Sequence, residues 1–151
     1  MSFMPLYRYI DRDALAEKVR AQVKQPENKE IAIVDVRDDD FEGGNIVGAH
    51  NVPSTKIADS IGDLVLGPLK EYKQVVFHCH LSQQRGPKAA GNYAKARTEA
   101  IEQGKLPAQT DGANQQQVLV LRGGFSEFQD KYKKDPEVVE GYDEESWALR
   151  G

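Results

Sequence analysis

"VVFHCHLSQQRGP", residues 75–87, joins a short apolar run to a polar loop, then to an arginine, a glycine and a proline. The run reads as a strand covered on both faces. Where it ends stands Cys79, the only cysteine of the chain, with Arg85 six positions on. A free cysteine is usually a small buried hydrophobe. The residues after this one support a second reading. The five residues His80, Leu81, Ser82, Gln83 and Gln84 can curl so that their backbone N–H groups converge into an anion-binding nest. A helix beginning near Gly86 adds its positive end, and the planar fork of Arg85 suits two oxygens of a tetrahedral oxyanion. The same field favours a thiolate at Cys79. Gly86 allows a tight turn, and Pro87 suits a first helical turn because its missing N–H wastes no donor. A bare Cys-x5-Arg spacing is common by chance. Set between strand and helix, it favours a catalytic cysteine.

Outward from this stretch, strands alternate with helices. Asp11 is expected to cap a helix whose apolar face is Leu15, Val19 and Val23. "IAIVDV", Ile31 to Val36, reads as a doubly covered strand. It leads into "RDDDFEGGNIVGAHNVP", a charged, glycine-punctuated loop ending near a short extended piece at 50–52. "STKIADSIGDLVLGPL" has a Ser or Thr cap and helical spacing at Ile57, Ile61 and Leu64. A long helix follows Gly86 and ends at Gly104. "QVLVLRGGF" is a last strand and glycine turn, and "SEFQDKYKK" a short helix. Beyond Pro136 the chain is acidic, with Tyr142, Trp147 and Leu149 available to pack back. The alternation predicts an α/β fold, a central mostly parallel sheet flanked by helices. Ligands then gather beyond the carboxyl ends of the strands, where both "VVFH|CHLSQQR" and "IVDV|RDDD" place polar residues.

The chain of 151 residues suits one domain spanning 1–151, with a core of about 8–132 and a segment 133–151 packing back. A formal charge of -4 argues against nucleic acid as a partner. No apolar run approaches membrane-spanning length, and "MSFMPLYRYIDRD" lacks the pattern of a signal peptide. The expected location is therefore cytoplasmic, with the nucleus as an additional one. One cysteine rules out internal disulfides and cysteine-rich zinc sites, and His50, His78 and His80 suggest no metal centre. No cofactor is expected.

"HCHLSQQRGP" resembles the active-site loop of the rhodanese-fold phosphatases: the M-phase inducer phosphatases, their small fungal and plant relatives, and the related eukaryotic arsenate reductases. "VDVRDDDFEGGNIVGAHNVP" is similar to their strand-plus-turn signature, and "VLRGGFSEF" to their closing strand, glycine pair and helix. The likeness spans about residues 8 to 130 and is nearest to the small single-domain fungal members. It implies a rhodanese-like fold, Cys79 as nucleophile, Arg85 as oxyanion clamp, and backbone amides of His80 to Gln84 around the anion, with Ser82 as a hydroxyl donor. Asp35 matches the strand-end aspartate, for which a structural role is favoured over acid catalysis. His78 is expected to orient the loop through its ring nitrogens. Arg37 and Glu42 are expected to pair, and Gly123 and Gly124 to shape a turn.

The resemblance implies a phosphatase that hydrolyses phosphate monoesters of the phosphotyrosine or dual-specificity kind through a phosphocysteine. The alternative is an arsenate reductase drawing on glutathione and glutaredoxin, since no second cysteine exists in the chain. Sulfurtransferases of this fold have a loop one residue shorter, which disfavours sulfur transfer; a non-catalytic module is disfavoured by the intact Cys79 and Arg85. The loop carries His80 and Gln84 where the inducer phosphatases have acidic residues, so the leaving-group acid is unassigned. His80 can donate a proton near neutrality, and Asp38, Asp39, Asp40 and Glu42 can swing in from the neighbouring loop, although a solvated charged turn is the expected fate of these four. Asn45 replaces a family histidine, and Val36 occupies the place of a second, rescuing cysteine.

Overall fold

The computed structural model describes residues 6–107 and 116–150. Its centre is a parallel sheet of five strands, β1 (Arg8–Ile10), β2 (Ile31–Asp35), β4 (His50–Asn51), β5 (Gln74–His78) and β6 (Gln117–Leu121), in the order β1-β6-β5-β2-β4. The helices are α1 (Arg12–Lys24), α2 (Ile57–Leu66), α3 (Arg85–Glu102), α4 (Gly124–Tyr132) and α5 (Glu144–Arg150). A second, two-stranded sheet pairs β3 (Asn45–Ile46) with β7 (Val139–Glu140), antiparallel. The α/β architecture is the one the alternation implies. The short β1, β3, β7 and α5 carry too little periodic signal to be read from sequence.

Side chains of a strand alternate between faces, and the core obeys that rule. Ala32, Val34, Val36, Val75, Phe77, Cys79, Val118 and Val120 form one apolar cluster with α2 and α3. Ile31, Ile33, Val76, Leu119 and Leu121 form the other, with α1 and α4. Both faces of β2 and β5 are therefore covered, which is why these strands read as continuous apolar runs.

Local expectations differ at the ends of helices. Asp11 precedes α1 but makes no side-chain cap; its carboxylate lies 3.6 Å from Arg122. Val23 is 49% exposed, and Leu15, Ala16 and Val19 form the buried face of α1. On α2 the third buried position is Val65 in place of Leu64. Its expected hydroxyl cap is absent because the Ser54 hydroxyl donates to Asp38 Oδ2 at 2.6 Å. The C-terminal segment lies against the loop after β2: Trp147 Nε1 donates to the Gly43 carbonyl at 3.1 Å, as does the Asp143 amide at 3.0 Å. The Leu149 side chain is outside the described residues. Among those residues, no helix is long and apolar enough to cross a membrane.

Candidate active site

Strand phase sorts the residues around the loop. Counting in twos along β5, Val75 and Phe77 lead to Cys79, so the thiol belongs to the α3 face of the sheet, where α3 begins. Cys79 is 2% exposed. Its Sγ accepts from the backbone N–H of Ser82 at 3.2 Å and of Gly86 at 3.4 Å. Two amides thus point at one sulfur, one from the loop and one from the first turn of a helix. The approach needs glycine at 86. A Cβ on Gly86 would stand 3.2 Å from the His78 Cα and 3.3 Å from the Cys79 nitrogen.

The other phase of the strands carries Asp35, Arg37 and His78 to the α4 face. All three are fully buried. Asp35 and His78 are register partners of β2 and β5, and His78 Nε2 lies 3.6 Å from Asp35 Oδ2. Asp35 also receives Arg37 through its backbone N–H, its Nε and its Nη2, the last at 2.6 Å. Arg37 donates further to the carbonyls of Asp40 and Gly44, and its guanidinium lies 4.3 Å from the Phe125 ring centroid. The buried carboxylate partner of Arg37 is thus Asp35, and its expected pairing with Glu42 is replaced by a tighter one two residues away. Burial works to raise the Asp35 carboxyl, but His78 and Arg37 beside it hold it below its ordinary value. Burial pushes the His78 imidazole down, against the pull of Asp35. Near neutrality Arg37 is therefore the charge that Asp35 faces. The other ring nitrogen of His78, Nδ1, lies 3.0 Å from the Cys79 carbonyl.

That carbonyl is also gripped from α4. Phe125 N–H donates to the Cys79 oxygen at 3.0 Å and Ser126 N–H to the His80 oxygen at 2.9 Å. A trans peptide sends C=O and the following N–H in opposite directions. Holding these two carbonyls against α4 therefore turns the N–H groups of His80 and Leu81 away from it. Gly123 and Gly124, expected as turn geometry, have a further task. A Cβ on Gly124, whose φ is +61°, would stand 2.4 Å from the His80 oxygen. Only glycine lets α4 approach this closely. In the middle of the loop Ser82 holds a positive φ of 55°, rare for a side-chain-bearing residue, and is 5% exposed. Leu81, Gln83 and Gln84 are exposed. His80 stacks on Trp147 with ring centroids 5.6 Å apart, so the C-terminal segment walls the loop on that side.

Arg85, the first residue of α3, is 32% exposed on its side chain. Its guanidinium forks onto Asp40, Nη1 to Oδ1 at 3.0 Å and Nη2 to Oδ2 at 2.8 Å, and Nη1 also reaches Asp38 Oδ2 at 3.2 Å. Asp38 is steadied by Ser54 and the Thr55 amide, and Asp40 by the Asp38 amide. Partial burial works to raise both carboxyls, but Ser54 and Arg85 for Asp38, and Arg85 for Asp40, hold them below the ordinary value. The solvated turn expected at 38–40 is instead a 3-10 turn, Asp39–Phe41, built against the arginine of the loop. The run of three aspartates after "VDVR" is the signal that could have found this contact. Among the described residues, no group of three or more His, Cys, Asp or Glu is placed to hold a metal ion.

The Rhodanese-like domain model matches residues 15–131. The chain belongs to the rhodanese-like family. Among its relatives is the dual specificity phosphatase ibp1 of Schizosaccharomyces pombe, 32% identical over 91% of this chain and 99% of that protein. Among solved structures, the rhodanese-like domain superposes on Ygr203w, a yeast protein tyrosine phosphatase of the rhodanese family. The TM-score is 0.71 at 26% identity, covering 95% of this chain and 99% of that one. The As-Sb reductase of Leishmania major follows with a TM-score of 0.65 at 30% identity, covering 88% and 84%.

Proposed function

We propose that this rhodanese-like domain is a cysteine-dependent phosphatase acting on phosphate monoesters. The observation that carries the reading is the Cys79 sulfur under the amides of Ser82 and Gly86, at the start of α3 and one loop away from Arg85. Cys79 attacks phosphorus in line with the ester oxygen; the S–P bond forms, the ester O–P bond breaks, and water then hydrolyses the phosphocysteine, returning the thiolate and phosphate. The loop amides and Arg85 hold the equatorial oxygens, whose charge is spread in the transition state. Asp35, His78 and the N-terminus of α4 position the loop without touching the substrate. The phosphatase relatives support this assignment of chemistry.

A second reading is supported by the likeness to the As-Sb reductase of Leishmania major. The chain contains a single cysteine, so an arsenate adduct on Cys79 would need an external thiol such as glutathione, with glutaredoxin as recycling partner. The test is a side-by-side assay: 4-nitrophenyl phosphate hydrolysis against arsenate reduction with glutathione and glutaredoxin. Hydrolysis that depends on Cys79, without arsenate turnover, is the expected result; the reverse outcome moves the chain to the reductases.

A further inference from the structure

The loop around Cys79 carries no carboxylate, yet expelling an alcohol or phenol from phosphorus calls for a proton on the leaving oxygen. Beside Arg85 the structure places carboxylates of the 3-10 turn at 39–41 and of the residue before it, while Glu144 of α5 lines the cavity next to His80. Asp40 occupies both terminal nitrogens of Arg85, the fork that a bound oxyanion needs. Asp38 touches only one nitrogen of Arg85 and is tied also to the Ser54 hydroxyl and the Thr55 amide. Asp40 is held by Arg85 and by backbone amides of its own turn, that of Asp38 at 2.9 Å.

We infer that Asp40 is the acid that protonates the leaving oxygen, moving from Arg85 to the substrate as the oxyanion enters; the assignment rests on the phosphatase reading. In the free enzyme Asp40 is an ion, paired with Arg85. Facing it are the Arg85 guanidinium from α3, the Asp38 carboxylate of its own turn, and the Arg37 guanidinium, which donates to its backbone carbonyl. A phosphate dianion on the same fork puts two anions within reach of one guanidinium. Like charges at such range favour a shared proton, which Asp40 takes from solvent. As the ester O–P bond breaks, that proton passes to the departing oxygen and leaves Asp40 a carboxylate. In the second half the carboxylate takes a proton from the attacking water as the S–P bond breaks, restoring the acid.

The test compares Asp40→Asn with the wild type on phenyl phosphate and on 4-nitrophenyl phosphate, whose leaving group needs little protonation. The expected loss in kcat is on the order of 10²-fold on phenyl phosphate and under about tenfold on the nitrophenyl ester. Inorganic phosphate should inhibit the variant at least as well as the wild type, since a competing anion is gone. Asp40→Glu, which keeps the carboxyl, should recover part of the phenyl phosphate rate. Equal losses on both esters, no loss on either, or no recovery by glutamate would overturn the acid assignment and leave the phosphatase standing. A wild type inactive on both esters would overturn both.

Discussion

Asp35 and His78 face each other from neighbouring strands in the fully buried layer beneath the loop, with Nε2 3.6 Å from Oδ2. The contact ties stability to pH. The His78 imidazole lies below its ordinary 6.5 in the fold, so the unfolded chain binds the proton more readily. Its contribution is full above about 6.5 and is lost as pH falls toward the lower folded value. The Asp35 carboxyl is lowered from 3.8, so its contribution is present above that value and lost on further acidification. Urea midpoints should therefore be level near neutrality and decline below about pH 6.5, in two stages. His78→Gln should remove the first stage. A midpoint unchanged down to pH 5 would contradict this account.

Removing the Asp35 charge should cost more than any acid step. Asp35→Asn leaves the Arg37 guanidinium buried without its carboxylate, a loss of roughly 3–5 kcal/mol. The measurement is chemical denaturation at pH 7, with the expectation that many molecules fail to fold at all.

Cys79→Ser should lower turnover of aryl phosphates by at least about a thousandfold while inorganic phosphate still binds, because the cradle is made of backbone amides. Arg85→Lys should also fail, since a point charge replaces a planar fork. Phosphate binding to Cys79→Ser can be read by calorimetry; its absence would remove the amide cradle.

Gly124→Ala should weaken fold and function together. The new Cβ collides with the His80 carbonyl, and the residue must hold a positive φ, for a cost of about 1–3 kcal/mol. The amides of Phe125 and Ser126 then retreat from the loop carbonyls, so phosphate affinity should fall as well. Thermal melts and phosphate inhibition check the two halves; a stable variant with unchanged inhibition would refute the role given to α4.

Oxidation of Cys79 should run past sulfenic acid. Val36 and Cys79 share one apolar cluster and extend the Asp35–His78 register, so they face each other across strands about 4.8 Å apart. Valine there can trap nothing, and the chain holds no other cysteine. Peroxide without added thiol should give sulfinic and sulfonic acid, with activity that dithiothreitol does not restore. Val36→Cys, which sets a second thiol in the same cluster as Cys79, should restore recovery. Intact mass and regained activity measure both; full recovery of the wild type after prolonged exposure would defeat the expectation.

The reading of Cys79, Arg85 and their strand–loop–helix setting needed only local information: an apolar run, a spacing, a glycine and a proline. Chain order alone also implied the parallel sheet, because strands separated by helices return in the same direction. Tertiary structure decided the partners. Arg37 chose Asp35 over Glu42 because both lie in one buried layer, where a short two-residue bridge satisfies charge and hydrogen bonds at once. Asp40 met Arg85 from 45 positions away, and Trp147 met His80 across the C-terminal segment. Each joins parts of the chain brought close only when β2 and β5 pair and the residues after α4 fold back. Sequence spacing has no term for that closure. The glycine at 124 shows the same division: its type announced a turn, but only the approach of α4 to the His80 carbonyl explains why no other residue fits.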